Sequence, residues 1–216
     1  MRGMIHELLK YETECWDHHH TYVAGTDEAG RGPLAGPVVA AGVIFEKGFI
    51  IEGVTDSKQL TESQREDFFD VIQKHALAFH ISIIDHEQID KINILQASLK
   101  GMRECIESMP VKADYVLIDG NAEAFPKNHY YGTRQKAIVK GDSKSFSIAA
   151  ASILAKVTRD RLMVEYDKVF PCYQFAKHKG YPTPIHIEAI KKHGLSTIHR
   201  KTFCAGILNE QFVLGF

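Results

Sequence analysis

Residues 22–45 read YVAGTDEAGRGPLAGPVVAAGVIF. Two runs rich in Val, Ala and Ile flank a segment built on Gly30, Gly32, Pro33, Gly36 and Pro37. Apolar runs of this length read as strands, and clustered Gly and Pro read as the turn joining them. The core therefore opens with two consecutive strands rather than with a strand–helix unit. Asp27 and Glu28 stand side by side at the end of the first run, a place where a buried strand ordinarily carries no acid.

The remaining pattern alternates between strand and helix. Residues 61–76, TESQREDFFDVIQKHA, open on Thr61 and keep Phe68, Phe69 and Ile72 on one face, which predicts a helix. LAFHISIID at 77–85 alternates as a third strand, 93–108 reads as helical, and YVLID at 115–119 is a short apolar strand ending on an acid. AIVKGD at 137–142 is another brief extended run leading into a turn. From Ser145 to about Val169 the pattern is helical, with Ala149, Ala150, Ala151, Ser152 and Ala155 forming a small-residue face that lets a helix lie close on a sheet. Thr183-Pro184 caps a further helix that stops near Gly194. Ile5, Leu8, Leu9 and Trp16 suit an amphipathic helix near the N-terminus. The expectation is one α/β domain over 1–210 whose part from about 145 is mainly helical.

Composition bounds the class. The 216 residues are 44% hydrophobic and 25% charged, enough for a sizeable core without disulfides. No apolar run approaches the roughly 20 residues that span a bilayer. Glu7, Lys10, Glu12 and Glu14 stand where a signal peptide would be uninterrupted. Cys15, Cys105, Cys172 and Cys204 are far apart and form no CxxC pair, so reduced thiols in a cytoplasmic protein are expected. Residues 127–201 carry 15 Lys+Arg against 5 Asp+Glu, although the whole chain has 26 against 27. Such asymmetry points to a polyanionic partner or to an uneven solvated surface, with equal weight.

Three readings of the opening stretch compete with a catalytic one. GRGPLA satisfies G-x-G-x-x-[GA], but a dinucleotide site needs a helix directly after the glycines. Here Pro33 and Pro37 intervene and a strand follows. A Walker A loop fails because no Gly-Lys-[Ser/Thr] completes it. A plain hairpin bend explains the glycines and prolines and leaves two adjacent acids unexplained. Carboxylates on strand ends bind Mg²⁺ or Mn²⁺, and two such ions clamp the attacking and leaving oxygens of a phosphodiester. Asp119 in VLIDG and Asp142 in VKGDS supply further acids, each also acceptable as a turn residue or helix cap. Neighbours on a regular strand face opposite ways, so Asp27 and Glu28 are expected to share a site only where the strand ends or bends.

The stretch DEAGRGPLAGPVVAA at 27–41 resembles the signature of the ribonuclease HII family, the type 2 ribonucleases H. The resemblance continues through TDSKQL (55–60), LIDG (117–120), VKGDSKSFSIAAASILAKVTRDR (139–161), HKGYPT (178–183) and HRKTF (199–203). The sister type, ribonuclease HIII, typically has Gly-Thr-Gly where this chain has Gly30-Arg31-Gly32. The family's pattern implies a ribonuclease H-like mixed β-sheet flanked by helices. It also implies a metal-dependent endonuclease that cleaves the RNA strand of RNA/DNA hybrids and nicks 5′ of ribonucleotides embedded in duplex DNA, leaving 3′-hydroxyl and 5′-phosphate.

Carried over residue by residue, the resemblance implies Asp27, Glu28, Asp119 and Asp142 as the catalytic, metal-binding set for Mg²⁺ or Mn²⁺. It implies Gly30, Arg31 and Gly32 as the backbone that reaches a 2′-hydroxyl, the group that distinguishes RNA from DNA. Tyr181 would pack on the adjoining sugar; without the resemblance a partly buried core aromatic is the better reading. Lys58, and Lys144 or Lys156, are candidates for phosphate contacts, with a solvated face nearly as good an account. The 120–136 segment looks longer than the usual connection between the last two acids, and His18-His19-His20 reads as a polar connection. The ending QFVLGF resembles the peptides that dock on a sliding clamp, through Gln211, Leu214 and Phe216; an apolar tail folded on its own domain is the competing account. Expected partners are the hybrid, ribonucleotide-containing duplex DNA and that clamp, for a monomer without a membrane segment.

Overall fold

The computed structural model describes residues 7–213, with side chains described through residue 207. Leu214 and Phe216 of the proposed docking tail lie outside the described residues, and Gln211 belongs to the backbone of the last helix. Among the described residues, no helix is long and apolar enough to cross a membrane.

A five-stranded mixed sheet has the order β3-β2-β1-β4-β5. Its strands are β1 (Val23–Ala29), β2 (Val38–Ile44), β3 (Ala78–Ile84), β4 (Tyr115–Asp119) and β5 (Gln135–Ile138). The first three form an antiparallel meander, whereas β4 runs parallel to β1 and β5 parallel to β4. The expected fold class is therefore observed.

Alternation along β2 divides the core. Val39, Ala41 and Val43 join one cluster with the long helix α5 (Phe146–Val169), and with Phe69 and Ile72 of α2 (Glu62–His75). Ala40 and Ile44 join the opposite cluster with Met102, Cys105 and Ile106 of α4 (Ile94–Glu107). The small-residue face of α5 lies directly on β1: a Cβ on Gly25 would stand 2.3 Å from the Ser147 backbone carbon. Close approach demands glycine there, and it brings the middle of α5 over the end of β1.

Local signals set the helix ends. Thr61 forms a capping box with Gln64 ahead of α2, and Ser145 caps α5 through the amide of Ile148. The buried Glu12 of α1 (Lys10–Asp17) also serves α5, accepting from the Ser145 hydroxyl at 2.6 Å and from the Ser147 amide at 3.0 Å. An acid at a helix N-terminus is favourable, although burial raises this carboxyl's pKa.

Three details refine the expected elements. The run expected at 137–142 is strand only from Gln135 to Ile138, and Gly141–Ser143 is a 3₁₀ turn. A helix α3 (His86–Ile92), capped by Asp85, follows β3 where none was expected. The long 120–136 connection is compact because Gln135 accepts from the amides of Ala124 and Phe125 and donates to the Phe125 carbonyl. Beyond α5 come the short α6 (Phe175–His178), α7 (Pro184–His193) and α8 (Lys201–Val213), the expected helical part.

Candidate active site

The pairing of β1 with β4 ends at Thr26↔Ile118, whereas its pairing with β2 continues to Ala29↔Val39. From Asp27 onward β1 thus has a free edge, in the crevice outside the carboxyl ends of two parallel strands. Ligands of open α/β sheets bind in such crevices. A cavity of about 330 Å³ occupies it, lined by Asp27, Glu28, Gly30, Arg31, Gly32, Ser57, Lys58, Asp119, Ser152, Lys156 and Tyr181 among others.

The two adjacent acids share this cavity without the bend expected at them. The strand stays paired through Ala29, and the turn begins at Gly30, whose φ is 103°. Asp27 lies under α5 and accepts from the Ser152 hydroxyl; Ser152 and Ser57 are 2.8 Å apart. Glu28, on the other side of the free edge, pairs with Arg31 at 3.2 Å.

Asp119, at the end of β4, accepts from the Gly141 amide at 2.6 Å. That bond ties β4 to the turn carrying Asp142, which accepts from Lys58 Nζ at 3.1 Å.

The electrostatics of this set are strained by its own charge. Burial first, then Glu28 and Asp119, hold the Asp27 carboxyl well above the ordinary range. Burial and the charge of Asp119 raise Glu28, against the pull of Arg31. Burial and Asp142 raise Asp119. For Lys58, burial would lower the pKa, yet its bond to Asp142 and the charges of Asp142, Asp56 and Asp27 leave it raised. A cation placed among these oxygens would relieve the repulsion, and carboxylate oxygen is the donor that hard divalent ions prefer. No three acidic, His or Cys side chains among the described residues converge into a ready-made cage. A divalent ion that keeps several waters needs only one or two protein carboxylates beside a substrate phosphate. The residues present therefore fit a divalent ion.

The glycine-rich segment forms one wall. A Cβ on Gly30 would lie 2.1 Å from Arg159 Nε, so glycine is required by contact as well as by φ. At Gly32 a Cβ would merely touch Tyr181, at 3.6 Å from Cε1. Packing inside the protein does not demand glycine at 32; the space above it is the cavity itself.

Two arginines hold this wall, and sequence reasoning missed both. Arg159 donates to the carbonyls of Pro37, Ala35 and Lys179. Arg200 donates to those of Gly30, Arg31, Gly36 and Pro37. Both are almost wholly buried, and burial lowers the Arg200 pKa to about 9. Two of the 15 basic residues in 127–201 are thus structural, which weakens the charge argument for a polyanion. Their segments, TRDR and HRKTF, were visible, but nothing local marks a buried arginine.

Of the candidate lysines, Lys58 and Lys156 line the cavity, Lys156 paired with Asp160 at 2.7 Å. Lys144 instead donates to the Val139 carbonyl at 2.7 Å and does not line it. A larger cleft of about 680 Å³ lies between 86–91 and 195–201. Its Asp90 is occupied in capping α8, accepting from the amides of Lys201 and Thr202 at 2.8 and 3.1 Å.

A mixed sheet with this order and an acid-lined crevice defines a ribonuclease H-type hydrolase, and comparison with solved structures agrees. The ribonuclease H2 from Pyrococcus horikoshii OT3 matches with a TM-score of 0.74 and 28% identity, covering 90% of this chain and 100% of that one. In the PCNA:RNase HII complex from Archaeoglobus fulgidus, the matching chain has a TM-score of 0.65 and 26% identity, covering 83% of this chain and 93% of that one.

The model of the family Ribonuclease HII matches residues 24–206. The ribonuclease HII of Ruminiclostridium cellulolyticum is 52% identical over 199 residues, 92% of this chain and 76% of that protein. That of Acholeplasma laidlawii is 52% identical over 200 residues, 93% and 96% respectively. The chain belongs to the ribonuclease HII family, whose members cleave the RNA of RNA/DNA hybrids.

Proposed function

We propose that this hydrolase uses Asp27, Glu28, Asp119 and Asp142 to hold divalent metal, Mg²⁺ or Mn²⁺, and nicks 5′ of ribonucleotides embedded in duplex DNA as well as cutting hybrids. The observation that carries the reading is the free edge of β1, where Asp27, Glu28 and Asp119 meet a glycine wall and Tyr181 in one crevice; Asp142 does not line it and is joined to it through Lys58. When bound, two divalent ions would activate the attacking water and stabilise the departing 3′-oxygen, leaving 3′-hydroxyl and 5′-phosphate.

The chain's own residues do the rest. Ser57 donates to Ser152 and Ser152 to Asp27, which fixes the rotamer of that carboxylate. The Gly141 amide fixes Asp119. Lys58 neutralises part of the acid set until substrate arrives, and with Lys156 offers charge to the phosphate backbone. The Gly30-Arg31-Gly32 backbone approaches the 2′-hydroxyl, and the Tyr181 ring, 41% exposed, packs on the adjoining sugar.

The catalytic unit is assigned to 1–210, acting as a monomer in the cytoplasm; the four free cysteines suit a reducing compartment. Gln211, Leu214 and Phe216 are assigned to a clamp, an idea consistent with the PCNA complex of the archaeal neighbour. Deleting 211–216 should abolish clamp binding and spare hydrolysis of short duplexes; unchanged clamp affinity would remove the assignment.

The main test uses duplex DNA containing one ribonucleotide, with Mg²⁺ or Mn²⁺ and with chelator. A single nick on its 5′ side, lost with chelator, is expected. No nick there, or equal cutting of all-DNA duplex, would overturn the reading.

A further inference from the structure

Tyr181 projects from a segment that cannot hold itself. Lys179 and Gly180, directly before it, both have positive φ, 51° and 83°. The left-handed region is costly at a non-glycine residue and persists only where surrounding contacts impose it. Arg159 donates to the Lys179 carbonyl at 3.0 Å and the Leu34 amide to the Gly180 carbonyl at 2.8 Å. Three histidines complete the support: His178 stacked on His186, and His199 tilted against His186.

Their hydrogen bonds fix every ring proton. The Ser196 amide donates to His199 Nδ1 at 2.9 Å, so the His199 proton is on Nε2. His199 Nε2 lies 3.0 Å from His186 Nε2, which must accept, so the His186 proton is on Nδ1. His186 Nδ1 then donates to the Tyr181 carbonyl at 2.9 Å. On the other ring, the Gly180 amide donates to His178 Nδ1 at 3.2 Å, and His178 Nε2 donates to the Tyr173 carbonyl at 2.8 Å.

We propose that His186 is a positioning residue that sets Tyr181 against the glycine wall, in a relay whose other member, His199, keeps the His186 proton on Nδ1. The inference rests on the reading of Tyr181 as the sugar contact. His199 is followed by Arg200, which grips the carbonyls of Gly30 and Arg31, so one dipeptide registers both sides of the crevice. The backbone reinforces this: Ala35 bridges His199, and the Leu34 amide donates to the Gly180 carbonyl at 2.8 Å. Burial keeps both relay histidines neutral at neutral pH, their pKa values lowered to about 4, as a relay with one proton per ring requires. Neither histidine lines the cavity. His186 acts through Tyr181, and His199 through His186.

The test separates position from packing. In His186→Asn the amide nitrogen can stand in for Nδ1 and still reach the Tyr181 carbonyl; in His186→Gln it stands near Nε2 and cannot. On duplex with one ribonucleotide, His186→Gln should lose about tenfold in kcat/KM while His186→Asn stays within about threefold of wild type. In a Tyr181→Ala background the two variants should become equal. Ring ¹⁵N NMR of the unaltered protein should place protons on His186 Nδ1 and His199 Nε2, a readout independent of whether any variant folds. Opposite tautomers, or equal loss in the Asn and Gln variants with Tyr181 intact, would overturn the relay. A wild type that ignores the ribonucleotide would instead overturn the reading of Tyr181.

Discussion

Gly32 faces Tyr181 across a gap that just admits a methyl group: a Cβ on Gly32 would stand 3.6 Å from Tyr181 Cε1. Gly30, two residues earlier, is locked against Arg159 Nε, where a Cβ would stand at 2.1 Å. The two glycines therefore respond differently to the same substitution. Gly30→Ala should cost about 2 kcal/mol or more in urea unfolding, through positive φ and overlap with a buried guanidinium. Gly32→Ala should cost less than about 1 kcal/mol yet lower nicking at a single ribonucleotide about tenfold or more, by occupying the space the sugar needs. Equal stability losses in the two variants would contradict this division.

Asp27→Asn should separate activity from stability. Turnover is expected to fall about a hundredfold or more, because an inward-facing member of the acid set is lost. Its buried charge is already disfavoured by burial and by Glu28 and Asp119, so removing it should raise the Tm in chelator by a few degrees, about 2–4 °C per kcal/mol. Thermal scans and steady-state kinetics on the same preparation check both halves.

Lys58 and a divalent ion compete for the same negative charge. In Lys58→Met the partner of Asp142 disappears, and divalent-ion affinity without nucleic acid should tighten by about threefold, a modest effect because the lysine is largely exposed. Its kcat/KM should nevertheless fall, since a phosphate contact is lost with it. Calorimetric titration with Mn²⁺ gives the first quantity, and weaker binding would refute it.

The three-histidine cluster makes its own contribution to the pH dependence of stability. Unfolded imidazoles titrate near the ordinary 6.5, whereas His186 and His199 titrate near 4 in the fold and His178 is lowered as well. Between those values the unfolded imidazoles bind more protons, so the histidine contribution to stability falls as pH drops from 6.5 toward 4. The raised carboxyls of Glu12, Asp27, Glu28 and Asp119 act in the opposite direction. The histidine share is read as a difference: relative to wild type, His199→Gln should lose less stability in denaturant midpoints between pH 7 and pH 4. The same pH dependence in wild type and variant would contradict the assignment.

Much of this was legible because the relevant signals are local. Alternation, caps and the Gly/Pro segment specify the strands and most helices; DEAG and LIDG mark acids near strand ends, whereas the acid of VKGD sits on the 3₁₀ turn beyond β5. The fate of the acids was less legible. Whether β1 bends at Asp27 depends on where β4 stops pairing, a fact about two segments about 90 residues apart. Lys156 and Lys144 read alike in sequence, yet only the first reaches the cavity. Arg159, Arg200 and the histidine cluster escaped notice because their worth lies in backbone carbonyls, which every residue possesses and no side-chain motif announces.

The Gly30–Pro37 wall is held by Arg159, Gly180 and Arg200, all supplied from the last third of the chain. During synthesis both N-terminal acids emerge early, but the wall beside them stays unsecured until Arg200 has left the ribosome. A nascent chain stalled before that residue should bind no ribonucleotide-bearing duplex selectively. The order of translation thus arms this nuclease only once the segment carrying Arg200 has been made.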